Sequence, residues 1–202
     1  MKCISDEKKR EILARTKAPY PIYHGTDDGA EICQGKFNIE KIGKHDPGDL
    51  GKGIYFHTRK GFSKMYGKTV FGAIVDLQNP LVIDFDKDRD KAHRQLNELE
   101  EKYGNPVRGC AYYSTEEILE KSEKRGVHPG KLCHLERVEA SEKWRNELKK
   151  EGYDGVVAHG YEGRGTTTVV AFDEDAINLT DCWDSLICEL CECTTRSARS
   201  KD

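Results

Sequence analysis

The stretch Gly51-Lys-Gly-Ile-Tyr-Phe-His-Thr-Arg-Lys-Gly-Phe-Ser-Lys-Met-Tyr66 decides how this chain is read. Gly51 and Gly53 let the backbone turn tightly and approach a ligand closely. Ile54, Tyr55 and Phe56 predict the start of a strand. Ser63 and Tyr66 follow on a predicted short helix, with Tyr66 eleven residues after Tyr55. A strand aromatic, a helix aromatic and a serine can wall a flat slot. A planar aromatic amide would stack between the rings and hydrogen-bond to the hydroxyl. The same residues, taken alone, also read as ordinary core aromatics, because one Gly-x-Gly is a weak signal.

The rest of the chain sets bounds. Its 202 residues suffice for one domain with a sizeable core. Charged residues make up 34 % and the mean hydropathy is -0.77, which predicts a soluble protein. No apolar run reaches the roughly 18 residues of a membrane-spanning helix. The first ten residues lack a signal-peptide core, so a cytoplasmic location, or delivery into a host cell without a classical signal, is expected. A net charge of -3 gives no general pull toward nucleic acid. Of eight cysteines, Cys3, Cys33, Cys110 and Cys133 are scattered and read as reduced thiols. Cys182, Cys188, Cys191 and Cys193 crowd a tail over 181–202, and their spacing fits no common zinc pattern.

In chain order, Ser5 caps a charged helix to Lys17, within an N-terminal segment 1–20. Ile22 to Thr26 predicts a short strand. Gly43 to Gly53 is a glycine-rich loop. Strands follow at Thr69–Leu77 and Leu81–Ile83, then a helix from Asp86 to Tyr103. Ser114 and Glu117 form a capping box for a helix to Arg125. Residues 104–140 read as an insertion, and a helix is predicted from Ser141 to Glu151 with Trp144 and Leu148 on one face. Val156–Ala158 and Thr166–Phe172 are strands joined through the loop Gly160–Gly165. Short strands with a few helices predict an α+β domain of two packed β-sheets with peripheral helices.

Three motifs occur in order. They are Tyr23-His24-Gly25-Thr26, then Gly53-Ile54-Tyr55-Phe56 with Ser63 and Tyr66, then Thr168-Val-Val-Ala-Phe-Asp173 running to Leu179. Together they resemble the ADP-ribosyltransferase fold, in the branch of diphtheria-like toxins and poly(ADP-ribose) polymerases. Tyr153-Asp-Gly-Val-Val157 resembles small phage and bacterial members. The resemblance covers roughly Pro21 to Leu179, with 104–140 unmatched, and implies a catalytic domain over 21–180.

The resemblance implies an enzyme that uses NAD as substrate and releases nicotinamide, with no metal because the leaving group is already cationic. It implies that His24 holds a ribose hydroxyl. Gly25, with Thr26 and Gly53 in the flanking motifs, would offer backbone to the nucleotide. Ser63 would hydrogen-bond the carboxamide, and Tyr55 and Tyr66 would stack on the pyridinium. The glutamate that many members carry on the last strand is replaced here by Thr168. That departure argues for mono-ADP-ribosyl transfer over chain elongation. Glu162, six residues before Thr168 in a glycine-flanked loop, is expected to supply the missing carboxylate, with Arg164 near a phosphate. The acceptor is expected to be a protein. The alternatives are a nucleic-acid acceptor, or a module that binds NAD or ADP-ribose without chemistry.

Overall fold

A computed structural model of the chain describes residues 4–27, 29, 32, 37, 47–111 and 113–182. The N-terminal helix α1 runs Asp6–Leu13, capped by the Ser5 side chain accepting from the Lys8 amide. It stops short of the Lys17 expected for it. Strand β1 is Ile22–Thr26 and β2 is Ile54–His57. A single turn of helix, α2 (Lys60–Ser63), passes into a 3-10 turn at Lys64–Tyr66. Strand β3 is Thr69–Val75, buried at every residue as its unbroken apolar run implies, and β4 is Leu81–Asp84.

Helix α3 (Arg89–Tyr103) starts on an Asp88 cap and ends at Gly104, which takes φ 97°. Helix α4 (Thr115–Arg125) carries the predicted capping box and ends on Gly126 in the left-handed region. Helix α5 runs Pro129–Lys150, twelve residues longer at its start than the sequence suggested. His128 caps it, Pro129 opens it, and no breaker intervenes before the C-cap at Glu151. Strands β5 (Gly155–His159), β6 (Thr167–Ala171) and β7 (Ile177–Cys182) complete the fold.

Among the described residues seven strands join one sheet, in the order β4-β5-β6-β2-β1-β3-β7, and only β4 and β5 pair in parallel. The two packed sheets expected from the sequence are the two halves of one continuous sheet. The halves β4-β5-β6-β2 and β1-β3-β7 are joined because β1 meets β2 at the Tyr23–His57 pair. The neighbouring β1–β3 pairing extends over five residues, so the junction is the narrowest seam of the sheet.

Strand alternation divides the core in two. Val157, Val169 and Ala171 face one cluster with Ile22, Phe56, Phe71 and Ala73. Val156, Ala158 and Val170 face the other, where Trp144 and Leu148 of α5 and Ala92 and Tyr103 of α3 cover the sheet. The Trp144 indole N–H donates to the Gly104 carbonyl at 2.8 Å, which satisfies the one polar atom of that buried side chain.

Cys110 and Cys133 are disulfide-bonded, not reduced thiols as expected. Twenty-three residues separate them, and no spacing motif marks the pair. They meet because the turn at Gly109 lies against the Cys133 carbonyl, where a side chain would approach within 2.5 Å. The cysteines of the C-terminal tail beyond Cys182, and residues 43–46 of the Gly43–Gly53 loop, lie outside the described residues. Among the described residues no helix is long and apolar enough to cross a membrane.

Candidate active site

The seam between β1 and β2 opens into a cleft of about 230 Å³. Its floor is His24 and Gly25 of β1 with Gly53, Ile54, Tyr55 and His57 at and along β2. Tyr66 forms one wall, Gly48 and Asp49 a second, and Tyr161 and Glu162 from the β5–β6 turn a third. Six residues selected from the sequence therefore meet here: His24, Gly25, Gly53, Tyr55, Tyr66 and Glu162. Thr26, Ser63 and Thr168 do not line the cleft.

His24 is held by its Nδ1, 2.8 Å from the Tyr55 carbonyl. A carbonyl only accepts, so Nδ1 carries the proton. In the neutral ring Nε2 is then an acceptor. Phe37 and Phe56 meet the ring at 5.6 and 5.5 Å and fix its orientation. Burial pulls the imidazole below its ordinary range, against the opposing pull of the Tyr55 carbonyl. The ring is therefore neutral at pH 7.

The serine and the tyrosines stand differently from a simple two-ring slot. Ser63 is fully buried, and its hydroxyl donates to the Tyr23 carbonyl at 2.9 Å. It fastens α2 to β1, and any bond to a carboxamide would have to use its remaining lone pairs. The Tyr55 hydroxyl accepts from the Leu50 amide and donates to the Gly51 carbonyl, both at 2.8 Å. It pins the loop before β2. Gly48 passes so close to this ring that a side chain would approach its oxygen within 2.6 Å. Tyr66 is stacked on His57, with centroids 5.4 Å apart and planes within 9°. Phe62 meets the same imidazole at 4.7 Å. A ligand ring thus meets a wall that already contains a third aromatic, His57.

Residues 17–179 match a family model described as ADP-ribosyltransferase in polyvalent proteins. The chain belongs to that family. No curated protein matches it, and neither does a solved structure. The match runs from before β1 to the first half of β7, and the transferase cleft lies between these elements.

The transferase site contains residues that the sequence did not single out. His57, Tyr161 and Asp49 carry no motif of their own. His57 could have been found by alternation, since it shares a face of β2 with Tyr55. It pairs with Thr168 across the sheet, and its Nδ1 lies 3.3 Å from the Thr168 hydroxyl. Thr168 is almost fully buried and acts on the ring, not on the cleft. Glu162 is exposed along the cleft mouth, and partial burial there, then the Asp49 charge, push its carboxyl above the usual range. Tyr161 is pushed up by burial first and by Asp49 second.

His57 gives an acid-stability prediction. Burial first, and the neighbouring His24 second, pull its imidazole down to about 4. In the unfolded chain it titrates near 6.5, so between these values the unfolded state holds the extra proton. The stability is full above about pH 6.5 and is lost as pH falls toward 4. A shift of this size is worth about 3 kcal/mol. Thermal melts at pH 7 and pH 4.5 should show a smaller acid loss in His57→Asn than in wild type. Equal losses would mean that the ring is not held neutral by burial.

Proposed function

We propose that this transferase is a mono-ADP-ribosyltransferase. It cleaves NAD at the nicotinamide–ribose bond and passes ADP-ribose to a macromolecular acceptor, a protein in the first instance. The observation that carries this reading is the neutral His24, tied by Nδ1 to Tyr55 and lining the cleft floor, with Glu162 at its mouth.

The chemistry follows from the groups present. His24 accepts a hydrogen bond from a ribose hydroxyl and orients the sugar. The aromatic wall of Tyr66 and His57 receives the nicotinamide ring. The C1′–N1 bond breaks and its electron pair leaves with nicotinamide, which becomes neutral. The sugar passes through an oxocarbenium-like state, as in glycoside hydrolysis. The acceptor's lone pair bonds to C1′, and its proton passes to the Glu162 carboxylate. A raised carboxyl value suits a base that must accept a proton near neutral pH.

Arg164 stands across the β5–β6 turn from the cleft. With Arg89 it lines a second cavity of about 270 Å³ that shares Tyr161 with the first. We read it as the place for a phosphate of NAD or of the target. The alternative is a module that binds NAD without turnover, favoured by one observation. The residue in the place of the strand glutamate, Thr168, bonds to His57 and does not face the cleft.

Turnover separates the two readings. Nicotinamide release from NAD is expected in wild type, falling about tenfold or more in Glu162→Gln with NAD affinity kept. That fall equals about 1.4 kcal/mol of transition-state stabilisation. NAD binding without nicotinamide release, whatever acceptor is added, would leave the binding module standing. Release that Glu162→Gln leaves unchanged would remove the base from Glu162.

A further inference from the structure

An oxocarbenium-like state needs a negative charge held near it, and strand β6 offers none at Thr168. Glu162 alone would have to stabilise the cation and also take the acceptor's proton. Protonating the carboxylate cancels the charge, so the two tasks conflict on one group. The cleft holds a second carboxylate, Asp49.

Asp49 sits on the loop before β2, and that loop is fastened from two sides. From outside, α5 holds it. The Ser141 hydroxyl donates to the Pro47 carbonyl, and the Lys52 amide donates to the Ser141 carbonyl at 2.9 Å. Arg137 reaches Asp49 at 3.5 Å while its Nε donates to the Pro106 carbonyl at 2.8 Å. From inside, the Tyr55 hydroxyl bonds to both Leu50 and Gly51. A charge on so constrained a segment needs no rearrangement at the moment of reaction.

We propose that Asp49 is the fixed anion of this cleft: its carboxylate stabilises the cationic ribose, which leaves Glu162 free to accept the acceptor's proton. The inference rests on the NAD-cleaving reading given above. Its physical logic is that of paired carboxylates whose surroundings divide their tasks. The charge of Asp49 is felt at both Tyr161 and Glu162, which is the direction this division requires. Arg137 is a positioning residue. Through it, the region 104–140 touches the cleft without lining it.

The test uses the full chain, with NAD as substrate and water or a lysate protein as acceptor. In Asp49→Asn, kcat for nicotinamide release should fall about thirtyfold or more, with the calorimetric Kd for NAD within about twofold of wild type. The acid limb of the pH–rate profile should persist in Asp49→Asn and vanish in Glu162→Gln, because only Glu162 handles the proton. Arg137→Gln should lower Tm and lower kcat less than Asp49→Asn does, since the carboxylate remains but loses one of its supports. Three results overturn the proposal: wild-type kcat in Asp49→Asn, a loss in Kd that equals the loss in kcat, or an Arg137→Gln enzyme as slow as Asp49→Asn. If Asp49→Asn fails to fold, Asp49→Ser takes its place and is read by the same kcat and Kd criteria. A wild-type chain that binds NAD and releases no nicotinamide overturns the underlying reading together with this one. An active wild type beside an unaffected Asp49→Asn overturns this one alone.

Discussion

His24→Ala should reduce nicotinamide release by about two orders of magnitude or more, the scale seen when a preorganised polar contact to a reacting centre is removed. The ring is fixed on three sides, by the Tyr55 carbonyl at Nδ1 and by the rings of Phe37 and Phe56. Its one remaining polar atom, Nε2, is therefore already aimed before substrate arrives. Alanine removes that acceptor and the bond between Nδ1 and the Tyr55 carbonyl. The second loss costs stability, on the order of 1 kcal/mol. Kinetics must therefore be compared on chains shown to be folded by melting. Nε2 can accept only while the ring is neutral. Because burial lowers the His24 value below 6.5, the neutral form persists as pH falls through 6.5. Turnover by wild type should therefore lose less at pH 6.5 than an ordinary histidine, half protonated there, would impose. A His24→Ala chain that releases nicotinamide at the wild-type rate would sink the assignment.

How much of this could be read in advance depends on the range of the interaction. The Ser114 capping box and the Gly126 end of α4 rest on contacts within a few residues, and the sequence displays them. His24, Tyr55 and Tyr66 were legible because they resemble a family pattern in both spacing and order. Asp49 and Tyr161 were not, because each reaches the cleft only once α5 and the β5–β6 turn are in place. The first half of α5 hid for a different reason. It buries only Leu132 before Ala140, so no apolar period announces it. Ser63 and Thr168 show the converse. Their positions in the sequence were informative, but the hydroxyls bond to Tyr23 and His57, partners that only the sheet brings near.

Gly25→Ala should unseat the cleft altogether. A Cβ at Gly25 would lie 1.7 Å from the Ser63 carbonyl oxygen and 2.7 Å from its carbon. Both are backbone atoms, so no rotamer change can relieve the clash. Either β1 or α2 must move. β1 is held along its length by β3, from Ile22–Ala73 to Thr26–Thr69, so the short helix gives way. Its displacement breaks the 2.9 Å bond from Ser63 to Tyr23 and carries Tyr66, three residues on, away from its stack on His57. The cost lies at or beyond the upper end of core overpacking, about 3 kcal/mol or more. For a chain of this size that corresponds to a Tm lower by on the order of 10 °C. NAD affinity should fall with it, because Gly25 itself lines the cleft. Gly61→Ala is the matched control, in the same helix with nothing within 4 Å of the added carbon. It should melt like wild type or slightly above, since alanine is the better helix former. If Gly25→Ala and Gly61→Ala melt together and bind NAD alike, α2 does not rest on β1 as described. The wall formed by Tyr66 and His57 would then need another support.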